Sequence, residues 1–83
     1  MFFDDLIIDT CSEVYLPDED SFMLALAAKG LKGKILEIGC GSGIVSLSAA
    51  KTADLVIGVD INPAAISCSR KNSISNNLTV NNN

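Results

Sequence analysis

The sequence of 83 residues contains no histidine, and its three cysteines (Cys11, Cys40 and Cys68) show no Cys-x-x-Cys spacing. A zinc cluster therefore lacks its usual ligands, and a disulfide framework would leave one thiol unpaired. Free thiols suit a reducing compartment, so we expect a cytoplasmic protein without a bound metal. Cys11 and Cys68 are expected to be buried as small apolar residues. Cys40 is not a candidate nucleophile, because no histidine exists to act as its base.

Long apolar runs and a basic N-terminus are also missing. No stretch approaches the roughly 18 apolar residues that a membrane-spanning helix needs. The chain begins Met1-Phe2-Phe3-Asp4-Asp5, with acids where a signal peptide carries lysine or arginine. We therefore expect neither a secretory leader nor a membrane partner.

Basic residues are fewer than acidic ones, 6 against 10, which gives a formal net charge of −4. Such a chain gains little from a phosphate backbone, so direct binding of nucleic acid is not expected. Hydrophobic residues make up 48% of the sequence and charged residues 19%. This composition excludes a disordered acidic tail and predicts buried elements. The length suits about half of a common α/β domain.

A helix is predicted between Pro17 and Gly30. Proline fits a first helical turn, the acids after it favour the positive end of the helix dipole, and glycine often follows a helix. Spacings of four predict one apolar face, which consists of Phe22, Met23, Leu26 and Ala27. Residues 1–16 form an N-terminal extension in which only short extended pieces are expected.

The rest of the chain alternates apolar runs with turn residues. These patterns predict strands at 34–38 and 55–59, helices at 44–51 and 62–72, and the start of a third strand at 78–80. Two right-handed βαβ units of this kind form half of a Rossmann-like, doubly wound α/β sheet. Residues 17–83 are therefore predicted to be a helix followed by βαβαβ. The whole chain is interpreted as a truncated, N-terminal half of one cofactor-binding domain.

The most informative feature is a glycine-rich loop, Glu37-Ile38-Gly39-Cys40-Gly41-Ser42-Gly43, together with Asp60 at the end of the next strand. Glycines turn sharply and let a ligand approach the backbone. The loop follows the first strand at its carboxyl end, where open α/β sheets bind ligands. Asp60 is able to accept hydrogen bonds from both hydroxyls of a ribose. The two features together predict a nucleoside pocket.

The charge of the loop bears on which nucleoside binds. A dinucleotide fingerprint needs a glycine where Ile44 stands, and a phosphate-binding P-loop needs a lysine after Gly43. Glu37 repels a phosphate and attracts a cation. S-adenosylmethionine has a ribose, an adenine, an ammonium and a sulfonium, and it has no phosphate, so the charges favour it over NAD. A non-catalytic NAD-binding module and a loop without any ligand remain the alternatives.

At this point the sequence resembles a known family. Glu37-x-Gly39-x-Gly41-x-Gly43 is similar to the first motif of class I S-adenosylmethionine-dependent methyltransferases, and Asp60-Ile61-Asn62-Pro63 is similar to their second. Upstream, Tyr15-Leu16-Pro17-Asp18-Glu19-Asp20-Ser21 resembles the Tyr-x-Pro-x-Glu-Asp-Thr/Ser signature of HemK-related glutamine methyltransferases, in particular their shorter archaeal and eukaryotic branch. The resemblance covers about residues 14–80.

The resemblance implies a set of contacts with the cofactor. Ser21 would contact its methionine end, and Ile61 would pack on the adenine. The other implied contacts are Glu37, Gly39, Gly41, Gly43 and Asp60. No catalytic residue is implied, because the family's Asn-Pro-Pro-Tyr motif, which grips the amide that is methylated, does not occur in this sequence.

The implied reaction is methyl transfer to a glutamine side-chain nitrogen in the Gly-Gly-Gln segment of a translation release factor. A small zinc-binding activator subunit is implied as a further partner. The chain alone is expected to be inactive. Methylation of another protein, of RNA or of a small molecule stays open, because donor motifs do not encode the acceptor.

Overall fold

The computed structural model describes residues 1–83 and contains a small hairpin, a parallel sheet and three helices. The elements are β1 (Phe2–Phe3), β2 (Leu6–Ile7), α1 (Glu19–Ala28), β3 (Lys34–Ile38), α2 (Ile44–Ala50), β4 (Leu55–Val59), α3 (Pro63–Ser75) and β5 (Asn81–Asn82). The first two strands pair antiparallel, and β3, β4 and β5 form a parallel sheet with β4 in the middle. The predicted α/β fold, a helix followed by βαβαβ, is confirmed.

Helix α1 begins where the sequence predicts, but its buried face differs. Asp18 caps the helix, since its side chain accepts a hydrogen bond from the amide of Ser21. The buried residues are Ala25 and Ala28, whereas Met23 and Leu26 are 67% and 56% exposed. Every residue from Phe22 to Ala28 is apolar, so spacing alone cannot select one stripe. The small alanines turn inward because they let α1 pack closely against α2.

The third parallel strand lies later than predicted. Residues 78–80 precede the strand, and Asn81 and Asn82 pair with Ile57 and Gly58 of β4. Asparagine is disfavoured in strands, which explains the wrong prediction. Asn82 is accommodated because its buried side-chain oxygen accepts a hydrogen bond of 2.9 Å from the hydroxyl of Ser69 on α3.

The two faces of the parallel sheet have different surroundings. On one face, Glu37 bonds to α2 and Asn82 bonds to α3. The opposite face carries Leu36 and Ile38, which are 61% and 80% exposed. The helices therefore cover the face toward which Glu37 points. None of the three helices has the length and hydrophobicity that crossing a membrane requires.

Helix α3 is the anchor for the N-terminal extension. Its start is as predicted, because Asn62 accepts a hydrogen bond from Ala64 N and Pro63 occupies the first turn. Asp9 forms an ion pair of 2.6 Å with Lys71. The backbone of Asp9 also donates to and accepts from the amide side chain of Asn72, at 2.8 and 3.1 Å.

The cysteines differ from the expectation of three free thiols. Cys11 in the extension and Cys68 on α3 form a disulfide, with Cα atoms 6.0 Å apart. Cys40 is the free cysteine, and it is buried. The pairing was not predictable from spacing, because the 57 residues between the two cysteines in sequence reveal nothing about their distance in the fold.

We expect Cys11→Ser to lower the free energy of unfolding by about 2–4 kcal/mol, because the disulfide restricts a long loop in the unfolded chain. Urea unfolding followed by circular dichroism measures this loss. A reductant should destabilise the wild type by a similar amount and leave Cys11→Ser unchanged. Without reductant, the unfolded wild type should have one reactive thiol, that of Cys40. Three reactive thiols per chain would contradict the pairing.

Candidate functional site

The glycine-rich loop joins β3 to α2 and is anchored on the end of β4. The amides of Gly39 and Cys40 both donate to the carbonyl of Val59, at 2.7 and 3.0 Å. Gly39 and Gly41 have φ angles of 76° and 54°, a region that glycine occupies without strain. A Cβ atom added at either position would meet nothing within 4 Å. The space beside these two glycines is therefore open to a ligand.

The third glycine of the loop, Gly43, has a different environment. It precedes α2 with a φ angle of 92°. A Cβ atom here would lie 2.6 Å from the hydroxyl oxygen of Ser69 on α3. Gly43 does not line the cavity beside the loop. Its position shows a packing role between α2 and α3, while its contact with a cofactor stays a prediction.

A cavity of about 290 Å³ opens at the carboxyl end of β3. Its walls come from the segment before α1, from α1, from the glycine-rich loop and from the first turn of α2. The lining includes the side chains of Asp18, Ser21 and Glu37 and the backbone of Gly39 and Gly41. No lysine or arginine lines it. Two carboxylates without a basic neighbour give the cavity a preference for cationic groups.

Glu37 points from β3 toward α2. Its Oε1 accepts hydrogen bonds from the hydroxyl of Ser46 and, at 3.1 Å, from the amide of Ser46. Its Oε2 accepts no hydrogen bond. Among the fully buried side-chain nitrogen and oxygen atoms, only Ser48 Oγ lacks a hydrogen-bond partner. Oε2 of Glu37 is therefore not fully buried. Burial raises the pKa of Glu37. The hydrogen bonds from Ser46 lower the pKa, and the negative charge of Asp60 raises it further.

Asp60 follows β4 and binds two backbone segments at once. Its Oδ2 accepts a hydrogen bond of 3.0 Å from the amide of Gly41, and its Oδ1 accepts one of 2.9 Å from the amide of Asn62. It lines a second cavity of about 390 Å³ together with Val59 and Ile61. The second cavity shares Ile38 and Gly39 with the first. The two cavities are therefore adjacent.

The remaining predicted site residues lie at the edges of these cavities. Ile61 is fully exposed, so its side chain is available as an apolar surface. Ser21 lines the first cavity, but its hydroxyl donates to Asp18 at 3.2 Å. The hydrogen bond from the amide of Ser21, together with that from its hydroxyl, keeps the pKa of Asp18 below its ordinary value.

Two residues of the site were missed or undervalued in the sequence. Ser46 contacts Glu37 from α2, and no motif marks a serine at that position. The sequence leaves a solvated first helical turn and a ligand role equally open for Asp18, and the structure places Asp18 in the lining of the cavity. The role of Ser46 depends on its tertiary contact with Glu37, so no local sequence pattern could have identified it.

A protein-family model covers most of the chain. Residues 22–83 match the family model described as ribosomal protein L11 methyltransferase (PrmA). The chain belongs to this family of S-adenosylmethionine-dependent methyltransferases. The match includes the glycine-rich loop, Asp60 and Ser46.

Individual relatives are methyltransferases with different acceptors. A protein of Methanocaldococcus jannaschii, provisionally named a protein N5-glutamine methyltransferase, is 43% identical over 82% of this chain and 36% of its own length. A ubiquinone biosynthesis O-methyltransferase of Pasteurella multocida is 40% identical over 69% of this chain and 24% of its own length. A ribosomal protein L11 methyltransferase of Tolumonas auensis is 51% identical over 59% of this chain and 18% of its own length. The chain therefore spans only 36% or less of the length of these relatives.

A solved structure has a similar fold. The precorrin 8W decarboxylase of Methanobacterium thermoautotrophicum superposes on the whole of this chain with a TM-score of 0.74 and 29% identity. The superposition covers 47% of the decarboxylase. The prediction that this chain forms half of a Rossmann-like sheet is confirmed.

We expect Glu37→Gln to stabilise the fold and to weaken the binding of a cationic ligand. The raised pKa of Glu37 means that the folded chain binds a proton more tightly than the unfolded chain. Stability therefore falls as the pH rises through the folded pKa. The glutamine oxygen still accepts from Ser46 but carries no charge. The melting temperature of the variant should exceed that of the wild type at neutral pH.

The higher stability of Glu37→Gln should disappear below pH 4.5, the ordinary pKa of a glutamate. There the carboxyl of the wild type is protonated in both the folded and the unfolded chain. A variant that is less stable than the wild type at neutral pH would show that the buried charge does not oppose folding.

Proposed function

We propose that the chain holds S-adenosylmethionine in the two adjacent cavities at the carboxyl ends of β3 and β4. The observation that carries this proposal is the wall of the first cavity, which contains Asp18 and Glu37 and no basic side chain. Such a wall favours an ammonium or a sulfonium over the pyrophosphate of NAD. The open space at Gly39 and Gly41 lets the ligand lie against the backbone.

The residues divide between the two ends of this ligand. Glu37 Oε2 receives the ammonium of the methionine end, in the cavity that Ser21 also lines. Asp60 accepts the ribose hydroxyls, and Ile61 offers an apolar surface to the adenine. A carboxylate has about four acceptor positions, so Asp60 has capacity for the ribose beside its bonds to Gly41 and Asn62. The bound donor supplies a methyl group on a sulfonium, and these residues orient it.

We further propose that the acceptor is a glutamine side-chain nitrogen of a protein. The glutamine methyltransferase relative matches 82% of this chain. The residues that match the family model, 22–83, are a smaller share of the chain. The match of the relative therefore extends into the segment that carries the Tyr15-to-Ser21 signature. The Gly-Gly-Gln segment of a translation release factor is the proposed substrate. A small zinc-binding activator is a proposed partner that rests on the resemblance alone.

A second acceptor class is favoured by the family model, whose description names ribosomal protein L11. That match begins at Phe22 and so leaves out the upstream signature. Because the chain alone is expected to be inactive, a full-length enzyme that contains this chain is incubated with radiolabelled donor and either a release factor or ribosomal protein L11, which distinguishes the two. Label on the glutamine of the release factor supports the first acceptor, and label on L11 alone overturns it.

A cytoplasmic location belongs to the same proposal, because the proposed substrates act in translation. The Cys11–Cys68 disulfide weighs against a reducing compartment in most organisms. Intracellular proteins of hyperthermophiles are disulfide-rich, however, so the disulfide is compatible with a cytoplasmic protein of that kind.

We expect Asp60→Ala to weaken binding of S-adenosylhomocysteine by about 1.5–3 kcal/mol, the scale of hydrogen bonds to a charged group. Isothermal titration calorimetry measures this loss. Asp54→Ala is the matched control, since Asp54 is an exposed acid just before β4 and lines neither cavity beside the loop.

The same titration with NAD tests the alternative ligand. Binding of NAD by the wild type without a response to S-adenosylhomocysteine would overturn the proposed function. Equal affinity of the wild type and Asp60→Ala would remove the ribose assignment.

A further inference from the structure

Ser46 occupies an unusual position for a serine in a helix. It is 1% exposed and lies in the first turn of α2, facing the sheet. Its hydroxyl and its amide both donate to the same carboxylate oxygen, Oε1 of Glu37. The amide bond needs no particular side chain, whereas the bond from the hydroxyl depends on the serine.

The start of α2 supplies the hydrogen-bond donors that hold the carboxylate of Glu37. Gly43 precedes the helix and has no side chain with which to cap it. The first amides of a helix lack partners within the helix, and negative charge near them is favourable. Glu37 supplies an acceptor from the neighbouring strand, so the helix and the strand fix one another.

The sheet also leaves room for this contact. Gly58 on β4 is the partner of Glu37 in the parallel ladder. A Cβ atom at Gly58 would lie 3.1 Å from the hydroxyl oxygen of Ser46, which is tighter than an ordinary contact. A side chain at position 58 would therefore press on Ser46 and disturb its bond to Glu37.

We propose that Ser46 is the positioning residue of the methyl-donor site: it fixes Oε1 of Glu37 and thereby presents Oε2 to the ammonium of the donor. The proposal rests on the proposed function for the identity of the ligand. The role of Ser46 toward Glu37 rests on the geometry alone. Ser46 itself contacts no ligand, since Glu37 lines the cavity and Ser46 does not.

The charged surroundings of Glu37 set the direction of the expected change. Asp60 at the end of β4 and the buried thiol of Cys40 in the loop are near it, and Asp18 before α1 lines the same cavity. No basic side chain contributes to its pKa. The hydrogen bonds from Ser46 are therefore what favours the ionised form. Loss of the hydroxyl bond, while the amide bond remains, raises the pKa of Glu37.

The test is Ser46→Ala in the full 83-residue chain. The carboxyl carbon of Glu37 is titrated by carbon-13 NMR without ligand, and calorimetry then gives the affinity for S-adenosylmethionine. We expect a higher pKa for Glu37 and an affinity lower by about tenfold at neutral pH. As the pH is lowered, the affinity of the variant should also begin to fall at a higher pH than that of the wild type, because Glu37 becomes protonated earlier.

Ser48→Ala is the matched control. Ser48 lies on the same helix and is also 1% exposed, but its hydroxyl has no hydrogen-bond partner. This variant should leave both the titration of Glu37 and the affinity unchanged. Ser46→Cys keeps the volume of the side chain with a weak donor, and it replaces Ser46→Ala in the titration if the alanine variant does not fold.

The outcomes separate the two proposals. An unchanged pKa of Glu37 in Ser46→Ala or Ser46→Cys overturns the positioning role, whatever the ligand. Equal effects of Ser46→Ala and Ser48→Ala on affinity also overturn it. A raised pKa in a chain whose wild type binds no S-adenosylmethionine supports the contact with Glu37 and overturns the proposed function.

Discussion

The contact between the Glu37 carboxylate and the first turn of α2 joins the fold to the site. An ionised carboxylate is costly to bury, and here burial raises its pKa. The amide and hydroxyl of Ser46 compensate part of this cost. A charge kept in such a place opposes folding at neutral pH, so its presence is better explained by a ligand than by stability.

Asp60 connects the other parts of the same region. Through Gly41 it holds the glycine-rich loop, and through Asn62 it holds the start of α3. The two carboxylates therefore stand at the ends of adjacent strands, each fixed by neighbouring amides. Because the loop between them has open space at Gly39 and Gly41, a ligand has access to the backbone as well as to both charges.

Local signals in the sequence predicted most of the fold. The strands at 34–38 and 55–59 and the cap at Asn62 depend on neighbouring residues, and the structure has them where expected. The last strand was displaced because Asn82 enters the sheet through a bond to Ser69, which is distant in sequence. The disulfide between Cys11 and Cys68 and the bond between Ser46 and Glu37 likewise depend on tertiary contacts, so no local pattern reveals them.

A crystal structure of this chain with S-adenosylmethionine tests the central claim most directly. The account predicts the ammonium of the donor within hydrogen-bond distance of Glu37 Oε2, with its ribose hydroxyls on Asp60. A donor bound elsewhere, or one whose ammonium and ribose leave both carboxylates without contact, would contradict it.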